Sequence, residues 1–209
     1  ASTPSISGSL LTCPGESISY SASGAPGSSF AWSLTPVTGS WYGTFNGGST
    51  GSPVNVIWTN NTSVNQTATL TAMETATEGC SGSTSVLVTI KPKPIVVAIA
   101  DQIYCNGVTV PATQLNGTVA GTTFTWTNSN TAIGLAVSGS GTSVPSFTAT
   151  NASSVPINAV ISVTPAANGC TGPVSTYNIT VYPQFIAGTA SANQSICANQ
   201  SPLILSATM

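Results

Sequence analysis

Phe30-Ala31-Trp32 and Phe124-Thr125-Trp126 decide how this chain is read, because each stands in the same place between two cysteines. The first frame runs Cys13, Phe30-x-Trp32, Gly79-Cys80, and the second runs Cys105, Phe124-x-Trp126, Gly169-Cys170. Residues i and i+2 of a strand share a face, so each Phe/Trp pair can drive two large rings into one core. Phe30, Trp32, Phe124 and Trp126 are therefore expected to pack and not to bind a ligand.

Composition narrows the class. The chain has 209 residues, of which 3% are charged and 41% hydrophobic. Soluble domains average about 25% charged residues. Solubility must come from uncharged Ser, Thr, Asn and Gln. Thr and Val suit a pleated surface, and Gly and Pro interrupt every window before a helical period can build. The reading is all-β. A net charge of −2 with two lysines leaves no cationic surface for phosphates, so nucleic acid is excluded. No apolar run reaches the roughly 20 residues that cross a bilayer as a helix, and direct membrane insertion is not expected.

Outward from the aromatic pairs, short alternating segments succeed one another. Residues 5–11 read as a first strand and Cys13-Pro14-Gly15-Glu16 as a turn. Ile18, Tyr20 and Ala22 alternate, as do Phe30, Trp32 and Leu34. After a loop over residues 37–51, Val54, Val56 and Trp58 share a face. Next come a polar turn at Asn60-Asn61, Ala68, Leu70 and Ala72 on one side, and Val86, Val88 and Ile90. Short alternating strands separated by turns predict an immunoglobulin-like sandwich. Lys91-Pro92-Lys93-Pro94 is an extended linker. The cycle then restarts with a strand over residues 95–100 and further strands at 108–110, 124–126, 146–149, 157–163 and 177–181. Asn193-Gln194-Ser195-Ile196-Cys197 repeats Asp101-Gln102-Ile103-Tyr104-Cys105. Cys13, Cys105 and Cys197 are spaced by 92 residues each, and Cys80 and Cys170 by 90, the mark of an array. The expected organisation is repeat 1 over residues 1–92, repeat 2 over 93–183 and the opening of a third over 184–209, in a fragment of a longer chain.

Five cysteines without histidine or a Cys-x-x-Cys pair argue for disulfides in an oxidising, extracellular setting and against zinc. Spacing favours Cys13–Cys80 and Cys105–Cys170, one bridge per repeat, with Cys197 paired beyond the fragment. Topology supplies an alternative. The Cys13 turn and the Cys80 hairpin sit at opposite ends of a sandwich, whereas a bridge needs Cα atoms within about 7 Å. In a head-to-tail array Cys13 would instead meet Cys170 and staple neighbouring repeats.

The order Cys-Pro-Gly-Glu (Cys13 to Glu16), Phe-x-Trp (Phe30 to Trp32), Gly79-Cys80 and a closing Val-Leu-Val-Thr-Ile resembles the PKD-like repeats of Bacteroidota surface proteins. Cys105-Asn106-Gly107, Phe124-Thr125-Trp126, Asn168-Gly169-Cys170-Thr171 and Tyr-Asn-Ile-Thr-Val resemble them again. The resemblance implies tandem PKD-like sandwiches in a giant adhesin of the SprB-like gliding type, exported by type IX secretion. It implies a cell-surface fibre for adhesion or gliding, and it brings no catalytic residues. Neighbouring repeats of the same chain, surface polysaccharide and other cell-surface proteins are the partners so implied.

Catalytic chemistry finds little to work with. Without histidine no Ser-His-Asp or Cys-His site can form. Glu74 and Glu78 are the closest pair of carboxylates, read as a solvated strand end. Neither a cofactor nor a metal is expected, since four acids do not supply a clustered calcium shell. Asn-x-Ser/Thr triplets at Asn60, Asn61, Asn65, Asn116, Asn151, Asn178, Asn193 and Asn199 follow from composition. Trp41-Tyr42 is the candidate ligand contact: adjacent residues of an extended chain face opposite ways, so one ring can be offered to a sugar. A carbohydrate-binding module of a secreted glycanase is therefore the alternative to a structural and adhesive fibre segment.

Overall fold

Strict alternation of inward apolar and outward polar residues builds the N-terminal half as a sandwich. The computed structural model describes residues 3–37, 43–184, 189–190, 198 and 207–208. Its first eight strands are β1 (Ser5–Ser7), β2 (Leu11–Thr12), β3 (Ser17–Ser23), β4 (Ser29–Pro36), β5 (Gly43–Phe45), β6 (Val54–Trp58), β7 (Gln66–Thr75) and β8 (Ser81–Ile90). One sheet has the order β1-β3-β6-β5 and the other β2-β8-β7-β4. Every pairing is antiparallel except β2 against β8, where Thr12 faces Ile90. Val54, Val56 and Trp58 meet Ala68, Leu70, Ala72, Val88 and Ile90 between the sheets, as their alternation predicts.

The first strand departs from expectation. Residues 5–11 form two strands, because the chain changes sheet at Gly8. Its φ of 147° suits glycine, and a Cβ there would lie 2.9 Å from the Ser19 carbonyl oxygen and inside the Tyr20 ring. Tyr20 fixes the crossing. Its hydroxyl donates to the Ser9 carbonyl at 2.7 Å and accepts from Trp58 Nε1 at 3.1 Å. The two rings meet edge to face, with centroids 6.2 Å apart.

The C-terminal half repeats the plan with a dominant sheet. Its strands are β9 (Gln102–Cys105), β10 (Thr109–Val110), β11 (Thr113–Gln114), β12 (Thr123–Asn128), β13 (Ser138–Gly141), β14 (Ser143–Val144), β15 (Phe147–Thr148), β16 (Ile157–Ala167), β17 (Cys170–Thr171) and β18 (Ser175–Tyr182). The large sheet runs β13-β12-β16-β18-β9, with β17 paired to β16. Two short ladders, β10–β15 and β11–β14, complete this half. Strand β9 is again parallel to the last strand, Tyr104 facing Val181. The expected strand over residues 95–100 is absent. Only a bridge between Val96 and Gly117 forms there, with the Val97 amide donating to the Asn116 carbonyl at 2.8 Å and the Thr118 amide to the Ile95 carbonyl at 3.0 Å.

Each half keeps its own core. One cluster centres on Tyr20, Trp32 and Trp58, the other on Phe124, Trp126 and Ile161, and no residue belongs to both. Trp32, Phe124 and Trp126 are buried, and Phe30 is partly buried against the first cluster. The fold is all-β and immunoglobulin-like.

A disulfide-stapled junction as the candidate functional site

The Cys13 turn closes strand β2. Gly15 adopts a φ of 90°, and its amide donates to the Trp58 carbonyl at 2.9 Å, so the turn hangs on the first core. Pro14 is buried and the Cys13 side chain half-buried. The Cys170 hairpin has a different origin. Asn168 and Gly169 take φ values of 54° and 81°, the left-handed pair that a two-residue hairpin favours, and Ala167 faces Cys170 across it.

These two elements meet. Cys13 and Cys170 form a disulfide, with Cα atoms 5.6 Å apart across a sequence separation of 157. The favoured pairs Cys13–Cys80 and Cys105–Cys170 are therefore not formed, and the staple between sandwiches takes their place. The reason is the one topology raised: turn and hairpin lie at opposite ends of one sandwich but at adjoining ends of successive ones. Cys80 and Cys105 are free and exposed. Cys197 lies outside the described residues.

The linker completes the joint. Pro92 and Pro94 are buried. A Cβ at Gly172 would collide with the Pro94 carbonyl, so the linker enters against bare backbone. Lys93 Nζ lies 3.8 Å from where a Cβ would stand at Gly15, and Lys91 Nζ 3.5 Å from the corresponding point at Gly169. The two lysines of the sequence thus sit one over each element of the joint. A cleft of about 560 Å³ opens beside it, lined among others by Pro14, Thr62, Lys93, Ile95 and Pro173.

The other singled-out residues fall elsewhere. Trp41 and Tyr42, the candidate ligand contact, lie outside the described residues. Glu74 is not a solvated strand end: it is 4% exposed, and its Oε1 accepts from the Ala25 amide at 2.6 Å and the Ser28 hydroxyl at 2.7 Å. It holds the turn between β3 and β4, and Glu78 lies exposed on the neighbouring hairpin. Among the described residues no group of three His, Cys, Asp or Glu side chains is placed to hold a metal.

Asp101 holds the start of β9 to β18. Its two carboxylate oxygens accept from the Asn178 amide at 2.7 Å and from its side-chain nitrogen at 3.1 Å. Those bonds, the backbone one first, draw its carboxyl below the ordinary range.

Sequence reasoning missed one pair. Asn60 and Asn151 are 5% and 4% exposed and close the corner before β7 and β16 respectively. Asn60 Nδ2 donates to the Val64 and Ile90 carbonyls, both at 2.9 Å, while Oδ1 accepts from the Thr62 amide and hydroxyl at 2.9 and 2.8 Å. Asn151 does the same with Val155, Val181 and Ser153. The signal was present as Asn-x-Thr/Ser-x-Val recurring after 91 residues.

Residues 102–185 match the family model described as PKD-like domain. That match spans the C-terminal sandwich. No curated protein shows significant similarity to the chain. Among solved structures, titin domains in a three-Ig structure align at 14% identity over 87% of this chain and 66% of that one, with a TM-score of 0.39. The tandem Ig repeats of Dlar align at 16% identity over 88% and 100%, with a TM-score of 0.31. Mouse clustered protocadherin extracellular domains align at 11% over 88% and 68%, with a TM-score of 0.33.

Proposed function

We propose that this chain is a structural and adhesive length of a repetitive extracellular fibre. On this reading residues 1–92 and 93–183 are successive repeats and 184–209 open a third. The Cys13–Cys170 staple carries the proposal. A bridge between two bodies that already have separate cores adds nothing to either core, and it fixes the angle between them. That is useful to a strut that must hold distance. The buried prolines of the linker serve the same end. A sparsely charged surface makes the strut indifferent to salt. The finer reading is a cell-surface adhesin for attachment or gliding motility, exported by type IX secretion. Its partners are the adjoining repeats and, at its tip, surface polysaccharide or protein.

Immunogold labelling of intact source cells with antibody against this chain tests the reading. Gold strung along filaments outside the cell is the expected result. Label confined to the cell interior, or to a soluble secreted glycanase, would overturn it.

A further inference from the structure

The joint has two halves, and the chain carries each half twice. One turn, at Cys13, and one hairpin, at Cys170, are joined; the second turn, at Cys105, and the second hairpin, at Cys80, are exposed and free.

The free halves are built like the joined ones. Gly107 stands two residues after Cys105, as Gly15 does after Cys13, and the φ values are 84° and 90°. The Gly107 amide donates to the Ala149 carbonyl at 2.8 Å, and the Gly15 amide to the Trp58 carbonyl, at equivalent points of the two sandwiches. Thr12 faces Ile90 across a parallel pair, and Tyr104 faces Val181 in the same manner. On the hairpin side, Thr75 faces Ser81 as Ala166 faces Thr171, which puts Cys80 where Cys170 stands. Gly82, two residues on, faces the Pro4 ring 3.8 Å from where a Cβ would stand, a looser seat at the position where Gly172 meets Pro94. The hairpins differ in length by one residue, Thr77-Glu78-Gly79 against Asn168-Gly169, but the matched registers keep both cysteines in place.

We infer that Cys105 and Cys80 are the open ends of a unit-to-unit disulfide relay, each taking the complementary half of another unit of this same repeat. The inference rests on the fibre reading and extends it from one staple to a continuous covalent line. A turn mates with a hairpin and not with its like, so every link leaves one half of each kind at the ends. Such a contact is heterologous, and it extends as a line wherever its rotation does not close a ring. A small disulfide such as oxidised glutathione supplies the oxidation. The Cys105 thiolate attacks it and releases one glutathione thiolate. The Cys80 thiolate of the next unit then attacks the Cys105 sulfur of the mixed disulfide and releases the second.

A second copy of the chain provides the test. Cys80→Ser and Cys105→Ser variants, both with Cys197→Ser and with the Cys13–Cys170 bridge intact, are incubated singly and mixed in a glutathione redox buffer. Products are resolved without reductant and mapped by mass spectrometry. The mixture is expected to give a Cys105–Cys80 linked dimer in about tenfold excess over the like-with-like dimers of either variant alone. The chain that keeps both cysteines is expected to give a ladder of head-to-tail oligomers. Linkage in the proportions of chance, no linkage, or a Cys80–Cys105 bridge within one molecule would each overturn the relay. Surface filaments labelled by antibody, with no such linkage, would sink the relay alone. Linkage with no filaments would sink the fibre reading alone.

Discussion

Asn60 and Asn151, 91 residues apart, make the same four hydrogen bonds to the same positions of their sandwiches. Each ties the corner entering one strand to the carbonyl of Ile90 or Val181 at the end of the strand beside it. Replacing Asn60 by Ala strands two carbonyls whose partner was a buried amide. The expected loss is about 2–3 kcal/mol, confined to the N-terminal sandwich. Urea titration reads it, because Trp126 is the one tryptophan of the C-terminal half. The Trp126 transition is expected to hold its midpoint in Asn60→Ala and to fall in Asn151→Ala. Equal shifts in both would mean that the two bodies unfold as one.

Reduction of the Cys13–Cys170 bridge separates geometry from stability. Neither core borrows a residue from the other, so both sheets are expected to survive in a Cys13→Ser/Cys170→Ser variant. Far-ultraviolet circular dichroism should not change. What should change is the spread of angles between the sandwiches, seen by small-angle scattering as a broader distribution of long distances. An unaltered distribution would assign the rigidity to the buried linker prolines instead.

The all-β class and the inward faces of Val54, Val56 and Trp58 could be read directly, because each rests on an alternation that the chain displays in one dimension. The cysteine partners could be read only as two alternatives, of which the one drawn from topology forms and the one favoured by spacing does not. Cys13 is nearer in sequence to Cys80 than to Cys170, and only the relative placing of two sandwiches reverses that order. Glu74 escaped for a related reason. Its position in the alternation of β7 is inward, in line with Ala72 and Leu70, but a carboxylate there makes sense only once the Ala25 amide and the Ser28 hydroxyl are seen to receive it. The Asn60 and Asn151 corners were visible as repeated triplets, yet in a chain so rich in Asn and Thr composition alone explains the triplet. The bonds that distinguish them reach Ile90 and Val181, 30 residues away.

Gly172 and Gly82 form an internal control on the joint. A methyl at Gly172 collides with the Pro94 carbonyl, whereas at Gly82 it would stand 3.8 Å from the Pro4 ring, an ordinary contact. Gly172→Ala is expected to cost about 1–3 kcal/mol, as overpacking does, and to slow formation of the Cys13–Cys170 bridge on refolding. Gly82→Ala should leave both unchanged. Thermal melting with thiol quantification compares them; equal behaviour would show that the linker does not seat against this backbone.

The response to pH is expected to be lopsided. Burial pushes the Tyr20 and Tyr177 phenols above their ordinary value of 10.0. A raised folded value means that the fold prefers the neutral phenol. The stabilisation is complete below about 10 and is lost as pH rises through the folded values. On the acid side the Asn178 bonds lower the exposed Asp101 carboxyl, so its contribution is present above the ordinary aspartate range and fades only as pH falls through a lower value. The Tyr20 and Tyr177 contributions should therefore be constant through neutrality and decline above about pH 10. Tyr177→Phe, which keeps the ring and removes the ionisable group, should move the alkaline midpoint upward. Tyr20→Phe differs in kind, because it also strips the bonds to the Ser9 carbonyl and from Trp58 Nε1, and should cost about 1–3 kcal/mol at neutral pH. Unfolding midpoints across the pH range decide the matter: an alkaline limb unmoved by Tyr177→Phe would shift the cause to Tyr20 or to groups outside the two cores.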